Sequence, residues 1–147
     1  NNMKNVLIIN GPNLNLLGER EPGIYGTDSY ADVCADIEKK AAELGFDGCE
    51  IFQSNHEGEI IDRIHAARRD KCGIIINAGA YTHYSYAIRD AITAVKIPVI
   101  EVHLSNIHGR EEFRNTSVIS PVCRGTLFGF GADSYLLALN ALAYKLM

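Results

Sequence analysis

The sequence predicts an α/β fold built on a parallel sheet, and three observations carry that expectation. Short apolar runs of strand length recur along the chain, and several are continuous rather than alternating, the pattern of strands covered on both faces. A longer stretch with apolar residues at helical spacing follows most of them. Strands spaced by helices recur five times over 147 residues, about the length of one domain, so residues 1–147 are expected to form a single α/β unit.

Each element has its own signal. Residues 5–10 (NVLIIN) form the first strand, and a long loop rich in Gly, Pro and Asn follows it. Residues 29–44 form a helix: Ser29 caps it with Asp32 three positions on, Val33, Ile37, Ala41 and Leu44 share one face, and Gly45 stops it. Residues 49–54 are the second strand, and 57–70 a helix with Ile60, Ile61, Ile64 and Ala67 inward. Residues 73–77 (GIIIN) are the third strand, and 85–95 a helix with Ile88, Ala91, Ile92 and Val95 on its buried face. Residues 98–103 are the fourth strand, an irregular stretch leads to a fifth at 124–129, and a leucine-rich helix over 133–146 ends the pattern. Right-handed crossovers between such strands give a doubly wound sheet with helices on both faces. Five units fit the flavodoxin-like order 2-1-3-4-5.

Composition narrows the function classes. A net charge of −4 argues against a general nucleic-acid or acidic-membrane binder, while leaving room for an anionic small substrate held by a few arginines. No apolar run approaches the ~20 residues of a membrane span, and no basic-then-apolar leader is present, so a cytoplasmic protein is expected. Asn1 and Asn2 precede the first methionine and are read as additions to the natural chain. Cys34, Cys49, Cys72 and Cys123 show no C-x-x-C pairing and read as small buried hydrophobes rather than a zinc site or a disulfide framework.

In an open parallel sheet, ligands bind beyond the carboxyl ends of the strands near the switch in strand order, here between strands one and three. The residues there are Asn10–Asn13 after strand one, Asn77–His83 after strand three, Glu101–Asn106 around the end of strand four, and Ser54–His56 after strand two. Glu101 and His103 are two apart on one strand and share a face, so Glu101 is placed either to orient a proton-transfer histidine or to form a structural ion pair with it. Tyr25 closes the long loop five residues after Arg20. A tyrosine of ordinary pKa ~10 is ionised to about one part in a thousand at pH 7, a cost of about 4 kcal/mol for a base, much of which a nearby guanidinium in a closed site can supply; the pair suits either that chemistry or plain surface decoration. Gly18, Gly23 and Gly26 suit either a lid or an irregular ordered turn. Arg110 and Arg114 suit either a carboxylate ligand or pairing with Glu111 and Glu112. His65 reads as a helix-face residue, and Tyr81, Tyr84 and Tyr86 as packing or subunit contacts.

Four blocks then resemble one family. IINGPNLNLLG from Ile8 with Arg20-Glu21-Pro22 and Tyr25-Gly26, QSNHEGEIID from Gln53, INAGAYTH from Ile76 and IEVHLSNIHGREEFR from Ile100 look like the signature of type II 3-dehydroquinate dehydratases, in the same order and spacing. The resemblance covers essentially the whole chain from Met3. It implies dehydration of 3-dehydroquinate through an enolate. Tyr25 resembles the base and Arg20 the residue favouring its phenolate. Asn13 resembles the enolate-stabilising position, which acts through a water. His103 resembles the general acid, with Glu101 behind it. By the same resemblance Asn77, His83, Leu104 through its backbone, Ser105 and Arg114 hold the substrate's hydroxyls and carboxylate. Arg110 resembles a mobile-loop arginine, and Asp90 a residue that reaches a neighbouring subunit's site. The family needs no metal or organic cofactor and assembles as trimers grouped into a dodecamer. Tyr84, Tyr86 and Asn115-Thr116 depart from the family pattern, at positions read as lying outside the chemistry.

Other readings compete. A Schiff-base route needs a desolvated lysine, and Lys4, Lys39, Lys40, Lys71, Lys96 and Lys145 all read as element ends or helix surfaces. A flavodoxin-like binding module would offer hydroxyl residues after strand one, where residues 11–18 have none. A phosphorelay receiver would carry acidic residues where Asn10 and Asn77 stand. A metal hydrolase would use His83, His103 and His108.

Overall fold

A computed structural model describes residues 4–19 and 28–146. Five parallel strands, β1 (Asn5–Asn10), β2 (Gly48–Gln53), β3 (Gly73–Asn77), β4 (Val99–His103) and β5 (Gly125–Phe128), form one sheet in the order β2-β1-β3-β4-β5. This is the doubly wound order expected from the sequence. The helices are α1 (Tyr30–Glu43), α2 (Glu57–Ala67), α3 (Tyr86–Val95) and α4 (Asp133–Leu146). The predicted boundaries differ from these by at most three residues. The largest difference is at α2, which stops at Ala67 because residues 68–70 continue as a turn whose amides bond three residues back.

Strand alternation sorts the core into two layers. Val6, Ile8, Ile75, Ile100 and Val102 face α1 and α4, meeting Val33, Ile37, Tyr135, Ala138, Leu139 and Leu142. Leu7, Ile9, Ile74, Ile76 and Val99 face α2 and α3, meeting Ile60, Ile64, Ile88, Ala91 and Ile92. Because both faces are covered, β1 and β3 are apolar in succession while β4 is interrupted by Glu101 and His103, and each buried aliphatic side chain contributes roughly 1.5–3 kcal/mol. The α1 start is a full capping box: the Ser29 hydroxyl accepts from the Asp32 amide at 3.1 Å, and the Asp32 carboxylate accepts from the Ser29 amide at 3.2 Å.

The switch in strand order is tight. The Gly11 amide donates to the Asn77 carbonyl at 2.7 Å, prolonging the β1–β3 pairing one residue past the end of β1. A Cβ on Gly11 would lie 2.5 Å from the Ala78 carbonyl oxygen, so only glycine lets the two loops approach this closely.

Two expectations about side chains need correcting. The cysteines are free as expected, but all four are only partly buried. Lys71 is not a surface lysine: its side chain is 10% exposed, held 2.9 Å from Asp70 and 3.2 Å from Glu50. It lies at the amino end of β3, away from the switch, because the turn after α2 folds it against the β2 edge.

Candidate functional site

A cleft opens at the carboxyl edge of the sheet, between the loops after β1, β3 and β4. Its lining takes Pro12, Asn13 and Leu14 from the first loop, Asn77, Gly79, Ala80 and His83 from the second, and His103, Leu104, Ser105, Ile107, Arg110 and Arg114 from the third. These segments are brought together by strand order, since β1, β3 and β4 are neighbours in the sheet.

At the end of β4, His103 and Glu101 form a buried pair, with Nε2 of the ring 2.5 Å from Oε2 of the carboxylate. Glu101 is fully buried and His103 nearly so. The pair engages Nε2, so Nδ1 is the other ring position able to carry a proton toward the cleft. Burial works against the Glu101 charge, but hydrogen bonds from His103, Ser120 and Ser117 and the charge of His103 outweigh it and hold the carboxyl below its ordinary range.

Asn77 is fixed from both ends of its amide. Its oxygen accepts from the Gly79 amide at 3.2 Å, and its nitrogen donates to the Tyr135 hydroxyl at 3.1 Å. The Tyr135 hydroxyl in turn donates to Asn10 Oδ1 at 2.5 Å, and Asn10 Nδ2 donates to the Tyr30 hydroxyl at 3.2 Å. Burial raises both phenols, Tyr30 to about 12 and Tyr135 further, so both stay neutral hydrogen-bonding groups. The Asn13 backbone is left-handed (φ 70°), and its amide donates to Asn55 Oδ1 at 3.1 Å, anchoring the first loop on the segment after β2.

The second wall carries His83, whose Nδ1 lies 2.7 Å from the Thr116 carbonyl. The Phe113 ring meets it edge-on, with centroids 5.6 Å apart, and the Arg114 guanidinium sits 4.7 Å from the Phe113 centroid. Burial is the largest cause that pushes His83 below its ordinary value, and the His103 and Arg114 charges add to it. Arg114 Nε contacts Glu111 at 3.2 Å, Arg110 Nε lies 3.7 Å from the same carboxylate, and Arg110 Nη1 reaches the Ser105 hydroxyl at 3.5 Å. The two arginines therefore both line the cleft and pair with Glu111, the alternatives the sequence left open. They sit in an irregular segment with short 3-10 turns at Ile107–Gly109 and Glu112–Asn115.

Of the residues singled out in the sequence, Asn13, Asn77, His83, His103, Leu104, Ser105, Arg110 and Arg114 line this cleft, with Glu101 directly behind His103. Arg20 and Tyr25 lie outside the described residues. Asp90 is exposed on α3 and does not line the cleft of its own chain. His65 is exposed on α2, and His108 packs edge-on against Phe128 rather than lining the cleft. Among the described residues, no three His, Cys, Asp or Glu side chains are grouped to hold a metal ion.

Sequence reasoning missed four contributors. Ser120, Thr126 and Tyr135 are polar residues distant in the chain that fold onto Glu101 and Asn77. Thr116, read as lying outside the chemistry, supplies the carbonyl that holds His83. A backbone carbonyl carries no side-chain signal, but Thr126 had one: it stands beside Glu101 in the β4–β5 register, so a hydroxyl there faces the carboxylate.

The family described as dehydroquinase class II matches residues 4–143. The chain belongs to that family. Relatives agree with this placement. The 3-dehydroquinate dehydratase of Caldicellulosiruptor bescii is 67% identical over 141 residues, covering 95% of this chain and 97% of that one. The enzyme of the same name from Bacillus cereus is 58% identical over 144 residues, covering 98% of each. Among solved structures, the type II dehydroquinase of Butyrivibrio crossotus superposes with a TM-score of 0.92 at 50% identity, covering 95% of this chain and 97% of that one. The chain thus shares the fold of a type II dehydroquinase over nearly its whole length. No helix among the described residues is long and apolar enough to cross a membrane.

Proposed function

We propose that this chain catalyses the dehydration of 3-dehydroquinate to 3-dehydroshikimate. The observation that carries the reading is the buried Glu101–His103 pair facing a cleft with Arg110 and Arg114 on its rim, within a chain of the class II dehydroquinase family. A proton donor and two guanidiniums in one crevice suit an anionic substrate that must lose a hydroxyl.

The reaction proceeds by anti elimination. Tyr25, as phenolate favoured by Arg20, removes a proton from the carbon α to the ketone, and the electron pair moves into an enolate. Asn13 stabilises the enolate oxygen through a water. The enolate then collapses, the C1–hydroxyl bond breaks, and His103 delivers its proton to the departing oxygen, so that water leaves and a conjugated enone remains. The proton taken by Tyr25 returns to solvent and His103 is reprotonated, closing the cycle. Glu101 orients His103 and stabilises its protonated form. Asn77, His83, Ser105 and the Leu104 backbone hold hydroxyls, and Arg114 holds the carboxylate, with Arg110 closing against it. Asp90 reaches the site of a neighbouring subunit in a homo-oligomer built from trimers, with a dodecamer as the full assembly. The chemistry asks for no metal or organic cofactor, and the setting is the cytoplasm.

The purified protein should raise conjugated-enone absorbance when given 3-dehydroquinate, with chelator present and after borohydride treatment alongside substrate. An intact, assembled protein without that activity overturns the reading. Tyr25→Phe and His103→Ala should each lower kcat by about 10²–10⁴ or more, with the fold unchanged by circular dichroism. A Tyr25→Phe variant at near-normal rate removes the tyrosinate step.

A further inference from the structure

Glu101 is fully buried, so its carboxylate needs hydrogen-bond partners inside the protein. Oε2 is taken by His103. Oε1 receives two hydroxyls: Ser120 Oγ in a very short contact, and Thr126 Oγ1 at 3.2 Å. These hydroxyls come from separate elements and lie 3.1 Å from each other. Thr126 is the register partner of Glu101 on β5, and Ser120 opens the 3-10 turn Ser120–Val122. The turn is itself tied down, because the Ser120 amide donates to Ser117 Oγ at 3.0 Å.

The other groups near the carboxylate are the Ser117 hydroxyl, which also bonds to it, His103 on its own strand, His83 across the cleft and the Cys123 thiol ahead of β5. Burial first, and the Glu101 charge second, push that thiol up to about 12, so it stays neutral.

The position of one proton decides the chemistry of such a pair. While Glu101 is a carboxylate, a doubly protonated His103 is an imidazolium with a proton to donate at Nδ1. If the Nε2 proton crosses to Oε2, the N–H bond breaks and an O–H bond forms. The pair becomes a neutral imidazole beside a carboxylic acid, and the Nδ1 proton is then far harder to give up. A bare buried carboxylate favours that crossing, and hydrogen bonds donated to it oppose it.

We propose that Ser120 and Thr126 are positioning residues of the reaction: their hydroxyls on Oε1 keep Glu101 ionised and turned toward His103, so the shared proton stays on the imidazole. The proposal rests on His103 being the acid of the reading above.

The test is a Ser120→Ala/Thr126→Val double variant of the full chain, read by infrared difference spectroscopy and by steady-state kinetics. At neutral pH it should show a protonated-carboxyl C=O band that disappears when Glu101→Gln is added, while wild type lacks the band. Its kcat should fall about tenfold or more with KM within about twofold. Thr126→Ser, which keeps the hydroxyl, should retain wild-type kcat where Thr126→Val does not. If the double variant does not fold, the single variants carry the same readings. A folded double variant with wild-type kcat overturns the proposal whatever its spectrum shows. So does a loss of kcat without the band, or a Thr126→Ser as impaired as Thr126→Val, since each marks a packing role. The spectrum needs no substrate, so it stands apart from the turnover assay that decides the overall reading.

Discussion

His83 is held by a carbonyl, and a carbonyl can only accept. With the Thr116 oxygen 2.7 Å away, the proton of the neutral ring sits on Nδ1, which leaves Nε2 as a lone pair able to accept from a hydroxyl. Protonation replaces that acceptor with a donor. Burial holds the folded-state pKa of His83 below its ordinary 6.5, so the accepting form persists down to mildly acid pH. KM for the substrate is therefore expected to rise as pH falls through that lowered value, with His83→Ala removing the dependence and raising KM about tenfold at neutral pH. A KM profile in acid that is the same for wild type and His83→Ala would exclude the assignment. The shift carries a sign for stability as well. A histidine with a depressed folded pKa contributes stability that is fully present above 6.5 and is lost as pH falls through the folded value, so Tm should fall in acid less steeply for His83→Ala than for wild type.

At the scale of elements, the packing at the strand switch is less forgiving than the helices. Adding a methyl at Gly11 sets it 2.5 Å from the Ala78 carbonyl oxygen, and both partners are backbone, so one loop must move. Gly11→Ala is expected to cost about 1–3 kcal/mol in urea unfolding and to lower kcat/KM, because the displaced loops carry Asn13 and His83. Gly58 in α2 has nothing near the same methyl, and Gly58→Ala should be neutral or stabilising by up to about 1 kcal/mol. Equal effects at the two glycines would refute the close-approach argument. Ser29→Ala, which removes one half of the capping box, should cost about 1 kcal/mol with little change in turnover. These differences mirror what was legible in the sequence. The α1 cap could be read because Ser29 and Asp32 are three residues apart, and β1 and β3 could be read because coverage on both faces makes them continuously apolar. Ser120 and Tyr135 could not, because they lie 19 and 58 residues from the groups they bond and a hydroxyl has no periodicity to betray its partner, while Thr126, 25 residues from Glu101, is given away only by the β4–β5 register. Lys71 was misread for a similar reason: only the fold of the turn after α2 brings Glu50 to it.

At the scale of the whole molecule, Asp90 is the residue that one chain leaves without a task. It is exposed on α3 outside its own cleft, and Tyr84 and Tyr86, 59% and 64% exposed, sit on the segment leading into and opening the same helix. In the proposed trimer this surface faces a second copy, whose cleft Asp90 would complete. That geometry makes a prediction no monomeric mechanism shares. Asp90→Asn and His103→Ala should each be defective alone. Mixed under conditions that allow subunit exchange, they form some sites that pair an intact His103 from one copy with an intact Asp90 from another. Random exchange of equal amounts makes about a quarter of all sites of that kind, so activity should recover toward about a quarter of wild type. Recovery should track the mixed oligomers seen by native mass spectrometry and vanish if exchange is blocked by crosslinking beforehand. Demonstrated mixing without recovered activity would return Asp90 to the solvated face of α3, and the site would then be complete within one chain.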